Sequence, residues 1–346
     1  MSEAWFKAVD DGDLETVLRL IGDGIDVDTR DSLGRTALSK AVRYRLIDMT
    51  RTLLGHGADP NAEIGQGITP VTYAVERSLP HLVGEADTRA LNLLLAAGGR
   101  LGLCDALLMA DVALARRLFD EDPDLRATDR VDYWSYRVPY LKAAATYSSP
   151  EMVELLIERG ADLEACDDIG ETALIAAAMR GIVETARILL DHGARVDHDD
   201  WSDRTPLSEA AIMGHRAVVE LLLERGATRG LLDAVALDEI ELARDFLEHG
   251  ADPNHRYCGP STLAVAARRG SIAMVALLLE HGAHPNENEP FYPPLVEAVV
   301  GGHLEVVRLL LAAGADPRRA DRNGKTALDL ARESSRAEMT AILEGE

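Results

Sequence analysis

Aromatic residues make up only 4% of this 346-residue chain, although 47% of it is hydrophobic. A chain this poor in rings and rich in Ala, Leu and Val suits close helix packing better than a β-sandwich or barrel. Cysteine is equally sparse. Cys104, Cys166 and Cys258 are odd in number, far apart and without metal-ligand spacing, so they support neither a disulfide framework nor a zinc site. No apolar run is long enough for a membrane span, and the opening "MSEAWFKAVDDGDLE" lacks the basic start and apolar core of a signal peptide. The expectation is a soluble, cytoplasmic protein that does not meet a membrane. Positive charge is short as well: 36 Lys and Arg face 59 Asp and Glu, for a formal net charge of −23. The counterion release that drives nucleic-acid binding is therefore missing over most of the surface, and neither DNA nor RNA is an expected partner.

Enzyme signatures are absent. There is no Gly-x-Ser-x-Gly elbow, no Gly-x-x-x-x-Gly-Lys-Ser/Thr phosphate loop and no glycine fingerprint between a strand and a helix. Ten histidines show no His-x-x-x-His pair, and Asp197, Asp199, Asp200 and Asp203 lack the Asp-x-Asp-x-Asp-Gly pattern of a calcium loop. No catalytic residue, metal or cofactor is expected.

What the chain has is a period. "GETALIAAAMRGIVETARILLDHGA" from Gly170 is followed in register by "DRTPLSEAAIMGHRAVVELLLERGA" from Asp203, and Gly160, Gly193 and Gly226 are 33 residues apart. Turns such as "DSLGR" and "DRNGK" supply Asp, Asn and Gly at the front of each block. Thr-Ala or Thr-Pro then opens an alanine-rich helix, with Thr as its cap and Pro tolerated in the first turn. A second helix carries Val and Leu at i, i+3, i+4 and i+7, and ends in Gly where a left-handed cap is needed.

In these residues the chain resembles the ankyrin repeat family, through "GETAL", "DRTPL", "GKTAL", "HLEVVRLLLAAGADP" and "LLGHGADPN". The resemblance implies an all-α solenoid of about eleven helix-turn-helix units with short β-turn fingers, starting near residues 1, 31, 64, 103, 129, 167, 200, 231, 256, 289 and 321. One departure stands out. The family's histidine in "TPLH" is replaced by Ser39, Thr72, Ile175, Ser208, Ala264, Val296 and Asp329, so the bonds it would make must be lost or replaced. His56, His192, His249 and His281, before the helix-ending glycines, and His215 and His303, opening second helices, belong to the framework of the family.

The spacing breaks at Gly226 and Gly250, only 24 residues apart. The unit "LLDAVALDEIELARDFLEHGADPNH" has room for both helices but none for a finger. "LCDALLMADVALARRLFDEDPDLRA" from Leu103 and the first unit lack it too. Residues 1–346 are therefore expected to form a single domain, with sub-blocks 1–102, 103–230 and 231–346 joined at fingerless repeats. In "ERSLPHLVGEADTRA", Glu76 to Ala90, a longer inter-helix loop is expected.

The family binds its ligands with the finger tips and the exposed side of the first helix, the concave face. Projected on the period, that face carries Tyr133, Trp134, Tyr136 and Tyr147, then Met179 and Arg180, Trp201, Arg204 and Met213, Tyr257, Arg268 and Arg269, and finally Phe291 and Tyr292. Aromatic and Arg anchors bury large areas with few rotors, the habit of binding hot spots. With Arg35 and Arg43 the set makes a locally basic groove on an acidic body, suited to a protein or peptide with exposed carboxylates. The function expected is that of a protein-binding scaffold or inhibitor. The alternative is a small-molecule-binding protein or atypical enzyme with a pocket in the groove, near Tyr136, Tyr147, Asp168 and Arg180. The sequence does not indicate an oligomeric state.

Overall fold

The computed structural model describes residues 2–64, 68–78, 87–122, 125, 130–133, 136–147, 149–201, 204–255, 260–286 and 292–344, with backbone alone at 130–133, 136 and 137. The chain divides into two compact units, Met1–Ala173 with Asp191–Ala194, and Leu174–Leu190 with Arg195–Glu346.

The first unit is a series of helix-turn-helix repeats. Their helices are α1 (Ser2–Asp10) with α2 (Leu14–Gly22), α3 (Ala37–Arg43) with α4 (Ile47–Gly55), α5 (Pro70–Ser78) with α6 (Arg89–Ala96), α7 (Leu103–Leu108) with α8 (Val112–Glu121), and α9 (Tyr140–Tyr147) with α10 (Pro150–Glu158). The first helix of each repeat packs on its counterpart in the next, α1 on α3, α3 on α5, α5 on α7 and α7 on α9. Strands β1 (Arg130–Tyr133) and β2 (Tyr136–Pro139) pair antiparallel ahead of α9, so the finger expected there as a turn is a short β-hairpin.

The second unit continues the pattern. It holds α11 (Ala173–Arg180), α12 (Val183–Asp191), α13 (Pro206–Met213), α14 (Arg216–Glu224), α15 (Leu231–Ala236), α16 (Ile240–Glu248), α17 (Thr262–Arg269), α18 (Ile272–Glu280), α19 (Pro294–Gly301), α20 (Leu304–Ala312), α21 (Ala327–Glu333) and α22 (Ala337–Glu344). From α13 onward the odd-numbered helices stack in sequence, and α16, α18, α20 and α22 stack behind them. The fold is the expected all-α repeat solenoid.

Local chemistry explains where the helices begin. Thr36, Thr205, Ser261 and Thr326 each accept the N3 backbone N–H of the following helix. At two of the positions where the family's histidine is missing, the residue in its place completes this cap. Ser208 Oγ accepts from Thr205 N at 2.9 Å, and Asp329 Oδ2 accepts from Thr326 N at 2.9 Å and from its hydroxyl at 2.6 Å. Histidines at the start of the second helices supply the bond to the preceding repeat. His215 Nε2 donates to the Met179 carbonyl at 3.1 Å and His303 Nε2 to that of Arg268 at 3.0 Å. Alanines Ala173, Ala176, Ala177 and Ala178 are fully covered, leaving no side chain to hold neighbouring helices apart.

Loops carry a second set of ties. Four residues after the helix-ending glycine, Asn254 donates to Gly282 O (2.9 Å) and accepts from His284 N (2.8 Å), and Asn286 does the same with Gly314 O (2.6 Å) and Asp316 N (2.7 Å). Asn61 bonds Gly98 and Arg100 likewise. Where the position is Asp, as in Asp28 and Asp197, only the accepting half survives, from Asp59 N and Thr228 N.

The two internal fingerless repeats are shorter in their first helices as well as their loops. Helices α7 and α15 have six residues against eight in α13 and α17, yet α7 packs between α5 and α9, and α15 between α13 and α17. The short α15 lets Arg269, at the end of α17, reach past it to the Ala211 carbonyl of α13 at 2.5 Å. Without a Thr, both short helices are capped by their own third residue. Asp105 Oδ2 accepts from Gly102 N and Asp233 Oδ2 from Gly230 N, each at 2.6 Å.

Candidate protein-binding face

Fingers that open on an aspartate are Asx turns. Asp31 Oδ1 accepts from Leu33 N and Arg35 N (both 2.9 Å), Asp167 Oδ1 from Ile169 N and Glu171 N (both 3.0 Å), and Asp200 Oδ1 from Arg204 N (3.1 Å). With the aspartate turned inward, the next residues form the tip. Leu33 is 65% exposed, Ile169 44% and Trp201 72%.

Further apolar surface lies where first helices end in five of the repeats. Tyr44, Met109, Tyr147, Met213 and Val300 are all exposed there. Three other large apolar residues are this exposed among the described residues, Leu18, Leu95 and Ile272, and they stand on second helices. Exposed apolar groups cost solvation unless something covers them.

Of the expected binding residues, Trp201, Met213 and Tyr147 thus stand exposed, Arg180 is exposed at the end of α11, and Met179 and Tyr292 are half-buried. Tyr133 and Tyr136 are register partners across the β1–β2 hairpin. Trp134, Tyr257 and Phe291 lie outside the described residues.

The arginines behave differently from the apolar set. Arg204 bridges Asp200 (3.2 Å) and Glu209 (2.8 Å), both buried, while Arg268 pairs with buried Glu297 at 2.8 Å. Arg269 is spent on the Ala211 carbonyl, and burial pushes its guanidinium pKa down. Outside the candidate set, Arg35 is held by Asp31 at 2.7 Å and Arg43 lies 5.5 Å from the Tyr73 ring centre. Three of the six arginines of the basic groove read from the sequence, Arg35, Arg204 and Arg268, are neutralised by carboxylates of the repeats themselves.

The sequence is matched by a family model described as ankyrin repeats in three copies, covering residues 5–96, 141–229 and 231–321, more than half of the chain. The chain belongs to the ankyrin repeat family. The ankyrin repeat protein YahD of Escherichia coli (strain K12) is 30% identical over 185 residues, 51% of this chain and 89% of that protein. FPV230, an ankyrin repeat protein of Fowlpox virus (strain NVSL), is 28% identical over 142 residues, 40% of this chain and 72% of the viral one. The B-cell lymphoma 3 protein homolog of Mus musculus is 30% identical over 171 residues, 46% of this chain but only 36% of that protein. Ankyrin repeats generally mediate protein–protein interaction and the family is typically a non-enzymatic scaffold. Among the described residues no helix is long and apolar enough to cross a membrane, and no group of three or more His, Cys, Asp and Glu could hold a metal.

Within these ankyrin repeats the sequence reading missed a set of buried charges on the first helices. Lys142 of α9 donates to Asp167 and, at 2.7 Å, to Glu171, and all three side chains are buried. Burial pulls the Lys142 pKa down, but the two carboxylates outweigh it and the net shift is upward. The signal was available: Glu209 and Glu297 interrupt an otherwise Ala- and Leu-rich stretch at the same point of the period, and Lys142 does so one position earlier.

The caps of the fingerless ankyrin repeats give a pH dependence. Burial pushes the carboxyl pKa values of Asp105 and Asp233 from 3.8 to about 6, against the opposing Gly N–H bonds. At Asp233, Asp197 adds to the rise and Arg229 opposes it, whereas the Thr72 side chain opposes it at Asp105. A carboxyl raised on folding stabilises the fold when protonated, so its contribution is complete below pH 4 and lost as the pH rises through about 6. Urea denaturation at pH 5 and pH 7.5 should find the protein more stable at the lower pH, with Asp233→Asn removing about 1 kcal/mol of that difference. An unchanged pH profile in the variant would contradict the assignment.

Proposed function

We propose that the protein is a scaffold or inhibitor that holds another protein, or a peptide segment of one, against the finger tips and first-helix ends. The observation that supports this most is the placement of the exposed large apolar residues. Eight of the eleven among the described residues stand at those positions. Folding does not require them to be exposed, and water opposes it, so a partner that covers them recovers the lost solvation. Trp201 and Met213 belong to one repeat, its tip and the end of its first helix, and supply rigid and adaptable contact respectively. Preorganised repeats limit the ordering entropy of association.

The partner's charge follows from the arginine pairing. A carboxylate on the partner would meet Arg180, which is exposed and carries no ion pair among the described residues, whereas Arg204 and Arg268 are already engaged. Apolar contact therefore leads and charge selects.

In a direct affinity measurement with the captured partner, Trp201→Ala with Met213→Ala should weaken binding by about 2 kcal/mol or more, roughly thirtyfold, while the melting temperature stays within a degree or two. Undiminished affinity would remove this repeat from the binding face.

A further inference from the structure

The missing finger of the repeat at Leu231 leaves a slot. A cavity of about 280 Å³ lies against the start of α13 and the start of α15, lined among others by Asp197, Thr205, Ser208, Thr228, Arg229 and Asp233. That volume accommodates a single long side chain.

The hydrogen-bonding capacity of the walls is one-sided. Ser208 Oγ donates to Thr205 O at 2.9 Å, and Thr228 Oγ1 donates to Asp197 Oδ2 at 2.6 Å. Arg229 Nη1 is engaged by both oxygens of Glu239, at 3.0 and 3.1 Å. The Ser208 and Thr228 hydroxyl protons and Arg229 Nη1 are thus committed, and acceptors are left over. Chief among these is Asp233, 5% exposed, whose Oδ2 takes the Gly230 N–H while Oδ1 has no partner. A buried carboxylate oxygen without a donor costs the full desolvation of that group. Two carboxylates, Asp197 and Asp233, stand against one guanidinium that Glu239 already neutralises.

We infer that this slot receives an arginine or lysine side chain of the bound protein, with Asp233 as its anchor. A cationic head sets its N–H donors against the Asp233 and Asp197 carboxylates and the free lone pairs of Thr228 and Ser208, and its apolar stem lies along Leu232. Charge-assisted bonds in a covered site are stronger than neutral ones, and a fixed fork of donors favours arginine over lysine. The upward pull of burial on the Asp233 carboxyl is relieved when the cation arrives, so binding and ionisation of this group are linked. Of the protein-binding reading the inference uses only the source of the side chain.

The test uses the full chain at pH 7.5, with N-acetyl-arginine amide as probe and N-acetyl-citrulline amide as its neutral counterpart. Amide resonances of residues 197, 205, 208 and 228–233 should shift saturably with the arginine probe. Citrulline should bind about tenfold more weakly or not at all. Asp233→Asn, which keeps an acceptor for Gly230 N, should lose the arginine response about tenfold, and Asp105→Asn, the same cap in the first unit, should keep it. A carboxyl ¹³C titration should show the Asp233 pKa falling when the probe is bound. Equal binding of the two probes to the unaltered protein overturns the proposal whether or not Asp233→Asn folds. So does an equal loss in both Asn variants, which would mean general attraction to an acidic surface. The readings separate with the captured partner: retention by the Trp201 and Met213 double variant with loss in Asp233→Asn keeps the slot and discards the finger-tip face, and the reverse result does the opposite.

Discussion

Lys142→Ala should lower the stability of the protein by about 3–5 kcal/mol in a denaturant titration. Lys142 is 8% exposed and Asp167 and Glu171 are 6% and 7% exposed, so removing the ammonium leaves two carboxylates close together with little water to replace it. The damage spreads because Asp167 also builds the finger, through the N–H groups of Ile169 and Glu171. Lys142→Met, which retains most of the aliphatic stem, should lose nearly as much, and so distinguishes charge compensation from packing. A loss under about 1 kcal/mol in both variants would show that the cluster is hydrated rather than dry.

Gly270→Ala should cost about 2–5 kcal/mol, from two sources that a control separates. Gly270 has φ +80°, where an L side chain is strained, and a Cβ there would strike the His303 ring. That ring cannot withdraw freely, because its Nε2 N–H is given to Arg268 O at 3.0 Å in the preceding repeat. Gly226 has φ +87° with open space around it, so Gly226→Ala should cost only the backbone part, about 1–2 kcal/mol. Similar losses in the two variants would show that the histidine contact contributes nothing.

The architecture was legible because it is written many times. The Thr caps, the alanine helices, the leucine helices and the short spacing at Leu231 all follow from residue types and their period, and Trp201 and Met213 were identifiable as exposed from their place in it. What a period cannot show is which elements compensate one another. Arg204 and Arg268 stand where a ligand-gripping arginine would stand, but Glu209 and Glu297 come to them from first helices, where a sequence reading expects only packing. Arg269 reaches Ala211 because α15 is two residues shorter than α13, a consequence of geometry rather than of any motif. The absent family histidine was visible as a loss. Its replacement, by Ser208 or Asp329 at the cap and by His215 or His303 across repeats, required coordinates.

The account's central claim is that partners are held by the finger tips and first-helix ends. Hydrogen–deuterium exchange with and without the captured partner addresses it most directly. Protection is expected over residues 200–213 and at the ends of α9 and α19, with the second helices α14, α18 and α20 unchanged. Protection confined to those second helices, with Trp201 and Met213 left as open as before, would contradict it.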